Sequence, residues 1–148
     1  MITNAQIDGY LLETGRQFSS PEENMWIIHS EDEAENIVVY RSPPVITFRV
    51  KLMDLPSNEQ GELFKRLLEY NATEMVVGAY GLEDESIVIV DTLQLENLDL
   101  NELQASIDGI SMAVAMHYSV LRQYQDARVD VQDEQLAAFD EQLKSTQG

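Results

Sequence analysis

Apolar residues recur at intervals of three and four through a long stretch of the chain, from Asp99 to Ala127. This spacing places them along one side of an α-helix. Asp99 is the predicted N-cap of that helix, because Glu102 follows it at the spacing of a capping box. The inward side of the predicted helix comprises Leu100, Leu103, Ile107, Ile110, Val114, His117, Leu121 and Tyr124.

The opposite side of this predicted helix is apolar as well. No Asp, Glu, Lys or Arg occurs between Asp108 and Arg122, and the outer side carries Met112, Met116 and Val120. A helix that is apolar nearly all round is normally covered on two sides. We expect the sheet of the same domain to cover one side, and we predict that Met112 and Met116 contact a partner protein.

Shorter patterns predict the rest of the fold. The stretch Ser19–Asn24 reads as a turn-rich connection, and Asn71 is a predicted left-handed helix stop. The predicted order is α-β-β-β-α-β-β-α, which favours an α+β fold with an antiparallel sheet and helices on one face. The predicted elements are a helix over Thr3–Gly15, strands over Met25–His29, Asn36–Arg41 and Val45–Leu55, a helix from a Ser57–Gln60 capping box to about Tyr70, and strands over Met75–Tyr80 and Ile87–Leu93.

The chain of 148 residues predicts a single domain over residues 1–128, followed by an acidic tail over residues 129–148. A last short helix is predicted between Asp130 and Gln142. Its apolar side is an alternative cover for Met112 and Met116, either in cis or from a second copy of the chain. That side consists of Leu136, Phe139 and Leu143.

The charge balance narrows the range of partners. Twenty-seven acidic residues against nine Lys and Arg give a net charge of −18. A protein so negative repels phosphate backbones and anionic lipid surfaces, so we expect neither nucleic acid nor membrane as a partner. The chain has no cysteine, and its start lacks a basic segment followed by an apolar run. We therefore expect a cytoplasmic protein.

Motifs with catalytic or metal-binding chemistry are missing from the pattern. The acidic runs Glu31–Asn36 and Glu83–Glu85 lack the central glycine and the distal glutamate of a calcium loop, so both read as solvated hairpin tips. Neither His29 nor His117 has a partner at metal-ligand spacing, and we expect His117 to be a hydrogen-bonded, half-buried residue. The sequence predicts no enzyme, no cofactor and no metal.

Four residues of the predicted strands are candidates for contact with a protein partner. Arg41, Arg49 and Lys51 lie on adjoining strand segments, where they either pair with acids across the sheet or meet acidic and main-chain groups of a partner. Trp26 is the only tryptophan. It reads as a core residue or as an interface anchor, a role that tryptophan often has.

The element order resembles that of the type III secretion chaperone fold, the Tir-chaperone (CesT-like) group, together with its bacterial relatives of YbjN type. The likeness spans roughly Asn4 to Tyr124 and rests on apolar spacings rather than on a catalytic motif. The stretches that carry it are Leu67–Asn71, Met75–Leu82, Ile87–Val90, Leu93, Leu95, Leu98–Asp99 and Leu103.

This resemblance implies a small, acidic, non-catalytic homodimer that binds an extended segment of another protein. It also implies a dimer interface on the second helix and the strand after it, at Leu63, Leu67, Val76 and Tyr80. Two alternatives stay open: a YbjN-type regulatory or adaptor protein in signalling or stress response, and a small ligand-binding domain or enzyme with a pocket between sheet and helix.

Overall fold

The structure, a computed structural model, describes residues 1–30 and 36–125. Its strands form one antiparallel sheet in the order β1-β2-β3-β4-β6-β5, so the predicted α+β class is confirmed. The elements are α1 (Asn4–Thr14), β1 (Phe18–Glu22), β2 (Met25–Ile28), β3 (Ile37–Ser42), β4 (Val45–Asp54), α2 (Gln60–Thr73), β5 (Ala79–Glu83), β6 (Ser86–Gln94) and α3 (Leu100–Leu121), with a 3₁₀ turn at Arg122–Tyr124.

Side-chain contacts show that α1 and α3 lie on the same face of the sheet. Trp26 in β2 and Asp91 in β6 belong to one register row that passes through Phe48 in β4, so their side chains share a face. Trp26 Nε1 donates to Asp8 of α1 at 2.6 Å. Asp91 accepts from the hydroxyl of Ser106 in α3, also at 2.6 Å. The large core is therefore enclosed between this face and the helices.

The long helix α3 begins as predicted and ends earlier. Asp99 Oδ1 accepts from the N–H of Glu102 at 2.8 Å, which confirms the N-cap. The helix stops at Leu121, not near Ala127, because the chain tightens into the 3₁₀ turn. In that turn the hydroxyl of Tyr124 accepts from Arg66 Nε at 3.0 Å and donates to Glu62 at 3.2 Å, which ties the end of α3 to α2.

The prediction of a turn-rich connection over Ser19–Asn24 is wrong, because β1 pairs with β2 from Phe18 onward. Four of the five side chains of β1 are exposed, so no alternation of apolar and polar residues marks this strand in the sequence. Pro21 lacks an N–H group but is tolerated, since β1 lies at the edge of the sheet.

The start of α2 also differs from its prediction. Glu59, not Ser57, is the N-cap; it has a left-handed backbone with φ of 58° and makes no capping bond with its side chain. The predicted Ser57–Gln60 capping box is wrong, because the Gln60 side chain donates instead to the carbonyl oxygen of Pro56 at 2.7 Å.

Beyond Tyr70 the helix α2 continues to Thr73, so Asn71 is not a helix stop. The strand predicted from Met75 begins only at Ala79. A loop precedes it because Gly78 has φ of +72°, and a Cβ there would lie 2.9 Å from the carbonyl oxygen of Val90. The acidic residues 31–35 and the predicted tail over 129–148, with its helix, lie outside the described residues.

Candidate functional site

A groove of about 310 Å³ lies between α2 and the edge strand β5. Its lining is almost wholly apolar, with the amide of Asn71 as the one polar side chain other than the hydroxyl of Tyr80. Such a lining suits the burial of apolar groups rather than the binding of a charged molecule. The lining residues are Phe64, Leu67, Leu68, Asn71, Tyr80, Gly81, Leu82 and Ile87.

Three large apolar side chains are exposed in α2, in β5 and in the loop between them. Leu68 of α2 is 68% exposed, Leu82 of β5 is 52% exposed and Val76 of the connecting loop is 92% exposed. A partner that covered these side chains would be stabilised on the surface by roughly 25 cal/mol for each Å² of apolar area removed from water. The helical spacing of α2 would place Leu68 on the inward side with Leu63, Phe64 and Leu67, but the structure leaves its side chain largely exposed beside the groove.

The residues predicted for the dimer interface differ in their exposure. Leu63, Leu67 and Tyr80 are buried in the core of the same chain, whereas Val76 is almost fully exposed. Within this set, only Val76 offers surface to a partner without a rearrangement. The exposed residues Leu68 and Leu82 line the same groove as Leu67 and Tyr80. No local pattern marks their exposure, because it depends on how α2 lies over β5.

Asn71 joins α2 to the edge strand. Its Oδ1 accepts from the N–H of Tyr80 at 2.7 Å, and its Nδ2 donates to the carbonyl oxygen of Tyr80 at 3.1 Å. Both main-chain polar groups of this edge residue are therefore satisfied within the chain. An incoming strand would have to displace Asn71 to pair with β5 at Tyr80.

An aromatic cluster packs behind the same strand. The ring of His117 stacks on Tyr70 with centroids 3.9 Å apart and an interplanar angle of 7°. Its Nδ1 lies 2.7 Å from the hydroxyl of Tyr80. Burial lowers the pKa of His117, with a smaller opposing effect from Glu74, and burial also raises the pKa of the Tyr80 hydroxyl. Both groups are therefore neutral near pH 7.

The outer side of α3 keeps two exposed methionines. Met112 is 60% exposed and Met116 is 55% exposed. One turn earlier, Val77 from the loop before β5 covers the helix at Gly109, where an added Cβ would lie 2.7 Å from the Cβ of Val77. The described residues thus cover the helix at Gly109 and leave the two methionines open, so their contact with a partner stays a prediction.

The remaining predicted partner-binding residues all have contacts within the chain. Trp26 is 2% exposed and lies in the core. Arg41 donates from Nε and Nη2 to the carbonyl oxygen of Ile2, at 3.2 and 2.9 Å. The remaining two are exposed and make surface ion pairs, Arg49 with Glu83 at 3.1 Å and Lys51 with Asp54 at 2.7 Å.

Among residues 1–30 and 36–125, no group of His, Asp and Glu side chains is arranged to hold a metal ion. Within the same residues, no helix has both the length and the apolar character needed to cross a bilayer.

Comparison with known proteins finds several solved structures with a similar fold. No curated protein matches the chain. The heterodimeric ExoU–SpcU complex from the type III secretion system of Pseudomonas aeruginosa contains a chain with TM-score 0.63 and 18% identity, covering 81% of this chain and 98% of that one. YbjN from E. coli gives TM-score 0.61 and 15% identity, covering 80% of this chain and 93% of that one.

A third similar structure is the ExsC–ExsE complex, with TM-score 0.61 and 12% identity, covering 82% of this chain and 97% of that one. These identities are low, so the three structures support the fold alone. The CesT_Tir_1 family model matches residues 2–127. The predicted resemblance is thereby confirmed, and the chain belongs to the CesT_Tir_1 family.

Proposed function

We propose that this protein is a non-catalytic, chaperone-like module that binds an extended segment of a partner protein and acts in the cytoplasm as a homodimer. The observation that carries the proposal is the outer side of α3, where Met112 and Met116 remain more than half exposed in a stretch free of Asp, Glu, Lys and Arg. Methionine side chains are flexible and polarisable, which suits a surface that adapts to a bound segment.

Two further observations support a protein partner. The similar solved structures include the ExoU–SpcU complex, the HopA1–SchA chaperone–effector complex and the ExsC–ExsE complex. The net charge of −18 also supports a carrier that keeps apolar surface exposed without self-association through that surface.

An extended segment commonly adds main-chain hydrogen bonds at the edge of a sheet. The two edges here are β1 and β5. Because Asn71 already satisfies Tyr80 in β5, we assign main-chain pairing of the partner segment to the β1 edge and its apolar contacts to Met112 and Met116. We assign the side chains of β5 to the second copy of the chain.

For the dimer interface we propose the surface formed by Val76, Leu68 and Leu82, which we call the α2–β5 surface. It combines exposed apolar side chains with the apolar groove between α2 and β5. In a two-fold dimer both subunits use the same patch, so each of these exposed residues is buried in both copies. Leu63, Leu67 and Tyr80 support this surface from beneath.

A change confined to the methionines tests the partner-binding proposal. Met112→Gln combined with Met116→Gln removes apolar surface without adding charge or altering the core. Tagged wild-type and variant proteins are used to capture partners from native lysate, and the captured proteins are identified by mass spectrometry. We expect the variant to lose the partner that the wild type retains. The control is Leu12→Gln, which changes a leucine 70% exposed on α1.

If the double variant captures the same protein in the same amount as the wild type, the methionine side of α3 is not the binding surface. A regulatory or adaptor role of YbjN type is the second candidate, favoured by the structural similarity to YbjN. The identity of the captured protein separates the two, because a secreted cargo supports the chaperone role and a regulator supports the adaptor role.

A further inference from the structure

Three elements meet at one buried histidine. His117 of α3 stacks on Tyr70 of α2 and lies at hydrogen-bond distance from Tyr80 of β5, with 2.7 Å between Nδ1 and the hydroxyl oxygen. Its other ring nitrogen, Nε2, is buried and has no hydrogen-bond partner among the described residues. The neutral ring therefore fits the site, with one nitrogen bonded to Tyr80 and no charge at the unpartnered Nε2.

Protonation changes this balance. A neutral imidazole has one N–H donor and one acceptor, whereas a protonated ring has two donors and a positive charge. Both nitrogens would then carry a proton, so the Tyr80 hydroxyl would have to accept, and Nε2 would present a charged N–H with no acceptor. A buried donor left without a partner is unfavourable, and a buried charge more so.

The ionisable groups around His117 do not offset this cost. Tyr70 of α2 meets the ring by stacking, and burial raises the pKa of the Tyr80 hydroxyl of β5, which is therefore neutral near pH 7. Glu74, just after α2, favours the charged ring, but its effect is smaller than that of burial. Arg66 of α2 lies near Tyr70 and is itself positively charged. On α3 itself, no Asp, Glu, Lys or Arg occurs between residues 108 and 122.

We propose that His117 is an acid-sensitive contact that holds α2 and the edge strand β5 against α3, so that its protonation loosens the edge of the domain formed by α2 and β5. Only the consequence for self-association rests on the proposed function, because the α2–β5 surface lies on these same two elements. Asn71 and Tyr80 transmit the change, since their two hydrogen bonds join α2 to β5.

The direction of the pH dependence follows from linkage. Burial places the pKa of His117 in the folded protein below the ordinary value of 6.5. The unfolded chain therefore binds a proton at a higher pH than the folded protein does. The contribution of neutral His117 to the free energy of unfolding is complete above about pH 6.5. It is lost as the pH falls from there through the lowered pKa of His117 in the folded state.

Nuclear magnetic resonance measures this contact directly, because the chain has only two histidines. The ring proton of His117 is followed from pH 8 to pH 5 in the folded protein and again in concentrated urea. We expect the folded midpoint to lie below the unfolded one. A folded midpoint equal to or above the unfolded one overturns the proposal, whatever any variant does.

Amide exchange then tests the loosening. The protection factor of the Tyr80 amide, which donates to Asn71, should fall on acidification in the wild type. It should change less in His117→Phe, which keeps the stacked ring but cannot titrate. Between about pH 6.5 and the lowered pKa of His117, the ratio of the unfolding constant of wild type to that of His117→Phe should rise by at most about tenfold for each pH unit of acidification. His29→Gln, which removes the other histidine, should keep the full acid response.

Equal acid responses of Tyr80 protection in wild type and His117→Phe would overturn the proposal. If His117→Phe does not fold, Tyr80→Phe replaces it. Removing the hydroxyl costs the protonated ring more than the neutral ring, because a hydrogen bond from a charged donor is the stronger of the two. The midpoint of His117 should therefore shift further downward, and an unchanged midpoint counts against the proposal. A chain that is monomeric at every pH but shows the His117-dependent exchange would overturn the dimer proposal and support this one.

Discussion

The side-chain amide of Asn71 in α2 bonds both main-chain polar groups of Tyr80 in the edge strand β5, at 2.7 Å to the N–H and 3.1 Å to the carbonyl oxygen. A helix side chain thus provides the donor and the acceptor that a further strand would supply. This arrangement fixes the distance between α2 and β5 and therefore shapes the apolar groove between them.

Replacement of Asn71 by alanine should destabilise the protein. The change leaves the N–H and carbonyl oxygen of Tyr80 without their partner, which costs about 1–3 kcal/mol where water cannot replace it. Urea denaturation monitored by tryptophan fluorescence measures the loss. The control is Asn58→Ala, an exposed residue of the loop before α2, for which we expect a change within about 0.5 kcal/mol. Equal effects of the two changes would show that the Asn71 bonds add no stability.

A paired glycine substitution tests the packing of the loop before β5 on α3. Gly109→Ala places a Cβ 2.7 Å from the Cβ of Val77, so the loop must move. We expect a net loss of about 1–3 kcal/mol from the overpacking. Gly9→Ala in α1 meets nothing within 4 Å, so it should stabilise the protein by about 0.5–1 kcal/mol through helix propensity.

Thermal unfolding of the two glycine variants distinguishes the effects, because both make the same chemical change inside a helix. A stabilising Gly109→Ala would mean that Val77 does not pack at this point. The position of Val76, its exposed neighbour, would then also need revision.

Periodicity predicted those parts of the fold in which one face is buried. The stripe of α3 and the alternation of β4 identified their elements, since Ile107 and Phe48 lie fully in the core. The edge strand β1 has mostly exposed side chains, and its stability comes from main-chain pairing with β2, which leaves no mark on residue type. The start of α2 also leaves no mark on residue type. Its N-cap, Glu59, adopts a left-handed backbone and makes no capping hydrogen bond with its side chain.

The candidate site was less predictable, because its contacts join residues far apart in the sequence. His117 and Tyr80 are 37 positions apart, and no local pattern connects them. The residues that the family resemblance implied for a dimer interface lie in the segment that carries the exposed α2–β5 surface, but most of them are buried. Exposure of Leu68 and Leu82 depends on the angle at which α2 crosses β5, which a single sequence does not specify.

The most direct test of the dimer proposal is sedimentation velocity of Val76→Asp beside the wild type at micromolar concentration. Val76 is 92% exposed, so a carboxylate there should change the free energy of unfolding by no more than about 0.5 kcal/mol. In a two-fold interface, however, this carboxylate would be buried in both subunits, and an unpaired buried charge is strongly unfavourable. The matched control is Leu12→Asp, which adds the same charge at an exposed leucine of α1.

The dimer proposal predicts that wild type and Leu12→Asp sediment as dimers and that Val76→Asp sediments as a folded monomer. A wild type that is strictly monomeric, or a Val76→Asp protein that remains fully dimeric, would contradict it.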